Sequence, residues 1–287
     1  MRLEFRSAGN PTHKAWRPER MHQATARDSE MLIHPTAIVH PGAKVAADVQ
    51  IGAFAVIDQH VEIGAGTWIG ARVVITGHTR LGRDNRVHPL ASIGTPPQDT
   101  RYRDEPTRLE IGDGNTIWEC CTLNVATPRG TGLTRVGDHN WLMPYSHVAH
   151  DCHIGNHTML GNGVQLAGHV VIDDHATLSK GTLVHQFSRI GEHAFTAAGS
   201  AVQRDVPPYV MCGGNFAQPH GLNREGLERH GFSSEDIAGI QRAYETLYRS
   251  RLSFADAKAT ISEQGKSAPR VRILAEFLAG TVRGIIR

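Results

Sequence analysis

The sequence predicts a mainly β protein, a parallel β-helix of hexapeptide repeats followed by a C-terminal α-helical domain. Three observations carry this. An aliphatic residue returns at every sixth position, small or acidic residues commonly follow it, and beyond about residue 206 the period gives way to helix caps and helical apolar spacing. The division expected from these signals is an N-terminal extension over 1–30, a hexapeptide β-helix over 31–206 and a helical domain over 207–287.

Residues 1–30 are polar, with Arg2, Arg6, Lys14, Arg17, Arg20 and Arg27 interspersed among acids. They lack the apolar stretch of a secretory signal and read as a disordered tail or as the product of a start codon upstream of Met31, while Glu4, Glu19, Asp28 and Glu30 weigh against an organelle transit peptide. From Ile33 the aliphatic register runs through Val39, Val45, Ile51, Ile57, Ile63, Ile69, Ile75, Leu81, Val87 and Ile93. It returns at Ile111, Ile117 and Leu123, and again from Val136 to Ile190. A period of six fits neither the 3.6 of a helix nor a simple alternating strand. It fits a triangular coil in which three short flat strands make a turn of about 18 residues, each side pointing an aliphatic residue inward. Glycines such as Gly52, Gly64, Gly82, Gly137 and Gly155 are expected at the corners, where unusual dihedrals are needed. With aliphatic residues at every inner position, the interior is core, so function belongs to the outer faces, the loops or a subunit boundary.

The two register breaks, 94–108 and 126–133, are polar and rich in Pro and Gly, and they read as loops projecting from a rigid scaffold. Past Pro207-Pro208, Ser233-Ser234-Glu235-Asp236 reads as a helix N-cap with an acidic first turn. Ile237, Ile240, Tyr244, Leu247 and Tyr248 then share a face, and a second apolar pattern runs through Val271, Leu274, Leu278 and Val282.

Composition narrows the function. The formal net charge is +2, which gives no sign of a nucleic-acid partner, and 20% charged with 40% hydrophobic residues fits a globular chain. No stretch has the ~20 apolar residues of a membrane span. Cys120, Cys121, Cys152 and Cys212 match neither a CxxC pair nor a zinc-ligand spacing and read as free thiols in a reducing cytoplasm.

Residues one turn apart stack in columns: His150 with Gly168 and Gln186, and Asp151 with His169 and Phe187. With His147 and His185 they make one polar patch, His147 being expected across the preceding corner from His150. A histidine beside a carboxylate suits general-base work. A glycine stacked on it could offer a bare backbone N–H to an oxyanion. Together they suit acyl transfer to a hydroxyl, and no GxSxG elbow points to a covalent route.

The strings His147-Val-Ala-His150-Asp151-Cys152, Leu166-Ala-Gly-His169-Val170, His185-Gln186-Phe187, Asp205-Val-Pro-Pro-Tyr209-Val210, Gly221-Leu-Asn223-Arg-Glu-Gly226-Leu and Gly231-Phe232-Ser233 resemble the UDP-N-acetylglucosamine acyltransferase family of lipid A biosynthesis. The resemblance spans about 32–287 and implies a left-handed coil and a cytoplasmic homotrimer. It implies transfer of an R-3-hydroxyacyl chain from acyl carrier protein to the 3-hydroxyl of UDP-N-acetylglucosamine, with no metal and no cofactor beyond the donor's phosphopantetheine. By motif, His150 is the general base, Asp151 its orienting carboxylate and Gly168 the oxyanion donor. Asp99, Arg101, His147, His169, His185, Gln186, Asn223 and Arg229 bind substrate, the active cleft lying between subunits. Ala198 stands where residue size acts as a ruler on the acyl tail, and its methyl implies a shorter chain than glycine admits. Arg101, His230 and Asn124-Val125-Ala126 depart from the family pattern, which more often has lysine, a second arginine and a more basic strand end. Arg224, Arg229, Arg242, Arg249 and Arg251 concentrate positive charge suited to an acidic carrier. Three rival readings share the scaffold: the N-acyltransferase of the same pathway, a γ-carbonic-anhydrase-like metal hydratase using His147, His150 and His169, and a non-catalytic, purely structural hexapeptide protein.

Overall fold

The computed structural model describes residues 32–287, and the expectations for 1–30 lie outside them. Strands β1 (Ile38–Val39) through β25 (Ala201–Val202) fall into three parallel sheets, each built from every third strand, and two further strands, Val210–Gly213 and Gln218–Leu222, extend the third. The first sheet starts at Ile38–Val39, the second at Lys44–Val45 and the third at Gln50–Ile51. Register is set by the repeat, Ile38 pairing with Val56 and Lys44 with Glu62, one coil on. Three such faces make a left-handed parallel β-helix.

The core has two inner columns, not one. The hexad aliphatics, from Ile51 to Val202, are almost wholly buried. Two residues before each lies a second buried position, taken by small side chains such as Val49, Ala55, Thr67, Asn85, Cys121, Ser146 and Cys152. So the interior is not wholly aliphatic, and its polar members are satisfied along the axis. Asn115 donates its backbone N–H and Nδ2 to Oδ1 of Asn85 at 2.9 and 3.1 Å, and Asn140 and Thr158 continue the ladder at 2.8 Å per step. Paired in this way, a buried amide avoids the cost of an unmade hydrogen bond.

The glycines after the aliphatics are not the left-handed corner residues. A Cβ on Gly64 would lie 2.5 Å from the carbonyl oxygen of Gly82, and one on Gly137 would lie 2.6 Å from that of Gly155. Coil-to-coil backbone approach requires them. The left-handed corner position is instead filled largely by His, Asp and aromatic residues, Asp151, His157, His169 and Phe187 among them.

Both insertions emerge at the edge between the first and second sheets. Ile93 pairs with Leu123, 30 residues on, across the first loop, and Ile111 pairs with Val136, 25 on, across the second. Beyond residue 206 the coil does not stop at once. Met211 pairs with Phe195 in the third sheet, and β27 (Gln218–Leu222) returns antiparallel on β26 (Val210–Gly213).

Helices α1 (Arg224–Arg229), α2 (Ser234–Tyr248), α3 (Phe254–Gly265) and α4 (Pro269–Gly280) follow. The expected cap of α2 is a full capping box between Ser233 and Asp236, with Ile237, Ile240, Tyr244 and Leu247 buried. Helix α3, capped by Ser253, was not visible in the apolar pattern. Val282 does not continue the α4 face: it lies beyond the helix end and is 95% exposed. The helices share an apolar core with Tyr209, and Ile33–Arg287 is one compact unit. No helix among the described residues is long and apolar enough to cross a membrane.

Candidate active site

The edge between the first and second sheets stacks, coil upon coil, the first loop, the second loop, His150-Asp151, Gly168-His169 and then His185-Gln186-Phe187. Asp151 holds the left-handed corner at φ 59, a conformation Asp tolerates better than most residues, and its side chain is fully buried. Its Oδ2 accepts from Nδ1 of His150 at 2.8 Å and from the hydroxyl and backbone N–H of Thr127 at 2.7 and 3.1 Å. Its Oδ1 accepts from the N–H of Thr131 at 2.9 Å. Burial alone would raise this carboxyl, but the hydrogen bonds from His150 and Thr127 hold it down at about 2. An ionised carboxylate only accepts, so Nδ1 of His150 carries the proton and Nε2 keeps the lone pair.

Gly168 lies against that ring. A Cβ there would stand 2.5 Å from Cε1 and 2.7 Å from Nε2 of His150, so any side chain would displace the imidazole. Among the described residues no group accepts from the Gly168 N–H. The edge thus pairs an oriented base with an open amide donor.

Around this pair, His169 stacks on Phe187 at 4.4 Å and meets the His150 ring edge-on at 5.1 Å. Burial pushes His147 below the usual imidazole range. His147 does not lie across a corner from His150. It projects from β16 (His147–Val148) on the first sheet, hydrogen-bonded to Thr122 at 2.7 Å. His185 and Gln186 are exposed one coil above Gly168. Asp99 and Arg101 form a bidentate pair at 2.9 and 2.7 Å on the first loop. Hydrogen bonds from Arg101 hold the Asp99 carboxyl well below its usual range.

A groove of about 490 Å³ runs from His150 and Gly168 across the first sheet. Leu166, Leu183, Val184, Ala201, Val202 and Phe216 give it an apolar floor suited to an alkyl chain. These residues, and the threonine clamp on Asp151, were not anticipated from sequence. The outward apolar Leu183, in a position otherwise often polar, was the available signal.

One chain does not unite every expected residue. Asn223 caps α1, accepting from Gly226 and donating to the His193 carbonyl at 3.0 Å. With Arg229 and His230 it lines a cavity of about 430 Å³ at the edge between the second and third sheets. Ala198 is exposed on the third edge, in the turn before β25 (Ala201–Val202). Hexads put these residues on different corners, away from His150. Asn124 turns inward, its Nδ2 bonded to the hydroxyl of Thr95 at 2.9 Å and the carbonyl of Pro96 at 3.0 Å, so this departure from the family pattern anchors the base of the first loop.

Comparison with known proteins gives one family. The model described as UDP-N-acetylglucosamine O-acyltransferase, domain 2, matches residues 205–286, and the bacterial transferase hexapeptide model matches 133–168. An acyl-[acyl-carrier-protein]–UDP-N-acetylglucosamine O-acyltransferase from Herminiimonas arsenicoxydans is 54% identical over 260 residues, 89% of this chain and 99% of that protein. One of the same name from Neisseria gonorrhoeae is 49% identical over 256 residues, with the same coverage. The crystal structure of the UDP-N-acetylglucosamine acyltransferase of Francisella novicida is similar at TM-score 0.87 and 41% identity, covering 89% of this chain and 94% of that one. That of the Moraxella catarrhalis O-acyltransferase gives 0.88 and 38%, over 90% and 100%. The chain belongs to the UDP-N-acetylglucosamine O-acyltransferase family.

Proposed function

We propose that this protein transfers an R-3-hydroxyacyl chain from acyl carrier protein to the 3-hydroxyl of UDP-N-acetylglucosamine, the first step of lipid A biosynthesis, by general-base catalysis at His150. One observation carries the mechanism: an imidazole fixed through Nδ1 on an ionised Asp151, its ring packed where a side chain at Gly168 would stand, with the Gly168 N–H free of any acceptor among the described residues. Nε2 takes the proton of the 3-hydroxyl as that oxygen attacks the thioester carbonyl. The carbonyl electron pair moves to oxygen, which accepts from the Gly168 N–H. Collapse breaks the C–S bond, and the departing thiolate of the carrier recovers the proton from His150. No enzyme nucleophile is needed. Cys152 faces the core with its thiol pushed up to about 12 by burial, which removes it as a competitor.

Binding roles follow from position. His147, His169, His185, Gln186, Asp99 and Arg101 surround the dyad on one chain. Asn223 and Arg229 occupy another edge, so they serve this site only from a second copy, which supports a homotrimer with clefts between subunits. Exposed Phe54, Leu90 and Tyr145, stacked along the third edge with Ala198, support burial of that edge in the assembly. There Ala198 limits the far end of the acyl chain. Arg224, Arg229, Arg242, Arg249 and Arg251 are all exposed and suit the acidic carrier, whose phosphopantetheine is the only cofactor involved, in the cytoplasm. The metal-hydratase reading is not favoured. His147 stands outside the group of ligand atoms at this edge, and Nδ1 of His150 is committed to Asp151.

The test is turnover with UDP-N-acetylglucosamine and R-3-hydroxyacyl carrier proteins of ten to fourteen carbons. A 3-O-acyl product with a preference below fourteen carbons, lengthened by Ala198→Gly, is expected. Activity only on the 3-O-acyl-glucosamine nucleotide would replace this reading with N-transfer, and a fourteen-carbon preference would remove Ala198 as ruler.

A further inference from the structure

The edge between the second and third sheets carries a column of stacked imidazoles: His139, His157, His175 and His193, with ring centroids 5.1, 5.1 and 4.6 Å apart and nearly parallel. At its top the pattern changes. His230, the C-cap of α1, tilts across the last two rings at 4.9 and 4.8 Å, so the column meets a histidine from a different element. One ring nitrogen from each of His175, His193 and His230 lies within 4.8 Å of the others.

Two further features point to a ligand. Nδ1 of His175 is buried and has no hydrogen-bond partner, an expensive state for an imidazole nitrogen. The carboxylate of Glu192 stands 3.4 Å from Nε2 of His193, a negative charge that favours a cation beside that ring. Phe195, Met211 and Leu222 give the cavity an apolar wall, which strengthens coordination by excluding water.

We infer that His175, His193 and His230 form a site for a transition-metal dication of the zinc class, tying helix α1 to the coil. Three imidazoles suit zinc, cobalt or nickel and leave a fourth position open toward Asn223 and Arg229. Bonds of about 2.0–2.1 Å bring tetrahedral donors to about 3.4 Å from one another. The exposed His230 closes in, and the two stacked rings rotate about Cβ–Cγ so that their lone pairs converge. Glu225 stands at the rim beside Arg224 and Arg229, and Arg224 is paired with Glu228 at 3.8 Å. The ion takes no part in the chemistry at His150. It fixes a six-residue helix whose ends carry Asn223 and Arg229; this purpose rests on the proposed function, whereas the binding site does not.

The probe is zinc, with cobalt(II) as its spectroscopic substitute, added to untagged full-length protein and followed by metal analysis after dialysis. One retained equivalent per chain is expected, with tetrahedral cobalt absorption and a thermal midpoint raised by zinc. His230→Arg and His175→Phe should each weaken binding by at least the ~10–100-fold that loss of an outer partner costs, and should abolish the zinc-dependent shift while the metal-free midpoint holds. Three results overturn the site: no retained equivalent, an equivalent indifferent to both substitutions, or one lost with His169→Gln. Retained metal in a protein without turnover would overturn the catalytic reading alone.

Discussion

Two edges of the prism place histidines in the same hexad positions and differ in what surrounds them. Between the second and third sheets, His139, His157, His175 and His193 hold the left-handed corner at φ 54–58 and stack on one another. Between the first and second sheets the same corner is taken by Asp151, His169 and Phe187 at φ 59–64, and His150 and Gly168 stand just before it. Both inserted loops leave the coil at this second edge, and one returns Thr127 and Thr131 to Asp151. Stacking rings only spaces them. A carboxylate saturated from three sides gives one ring a fixed tautomer and a free lone pair. The repeat supplies places; its interruptions supply polarity and orientation.

The largest effect expected of this difference is at His150. His150→Ala should lower turnover by about 10²–10⁴-fold with the thermal midpoint nearly unchanged. Equal activity in the variant would erase the distinction between the edges. Gly168→Ala comes next, because its methyl occupies the space of the His150 ring. A fall of about 10²–10³-fold is expected, in kcat more than in KM, since residue 168 keeps its backbone N–H while the displaced imidazole no longer meets the reacting hydroxyl.

Acid titration sharpens the comparison thermodynamically. The Asp151 carboxyl sits at about 2 in the fold against an ordinary 3.8, so its stabilisation is fully present above pH ~4 and disappears as pH falls through about 2. On the order of 2 kcal/mol is at stake. Chemical denaturation as a function of pH should show this acid arm in the parent protein and lack it in Asp151→Asn. Superimposable curves would mean that the clamp does not hold the carboxylate ionised.

How much was legible follows from the same contrast. The hexad aliphatics, the α2 capping box and the stacking of His150 on Gly168 depend on local periodicity, and sequence carries them. The threonine clamp depends on the path of an aperiodic loop, so Thr127 and Thr131 looked like loop polarity. The Asn85–Asn115–Asn140 ladder was hidden because its hydrogen bonds connect residues 25 and 30 apart, across insertions that disrupt the spacing. The coil glycines were visible but misread: the backbone of the next coil, rather than a left-handed φ, excludes their side chains. Asn223, Arg229 and Ala198 came from the family pattern, which does not say that they sit on other edges of the same chain.

The smallest effect belongs at the base of the histidine column. His139 is exposed, adopts φ 56 and, among the described residues, stacks only on His157, at 5.1 Å, while its ring covers Gly114. Asparagine tolerates the left-handed corner about as well as histidine does, so His139→Asn removes the ring without straining the turn. An exposed side chain with no buried partner leaves stability within about 0.5 kcal/mol when it is replaced. Turnover should stay at the parent level, because nothing at this coil orients a carboxylate or exposes an amide toward a reacting group. A loss of even tenfold, read beside an unchanged thermal midpoint, would mean that the column acts on the reaction through a neighbouring copy, and the two edges would then have to be treated as halves of one site.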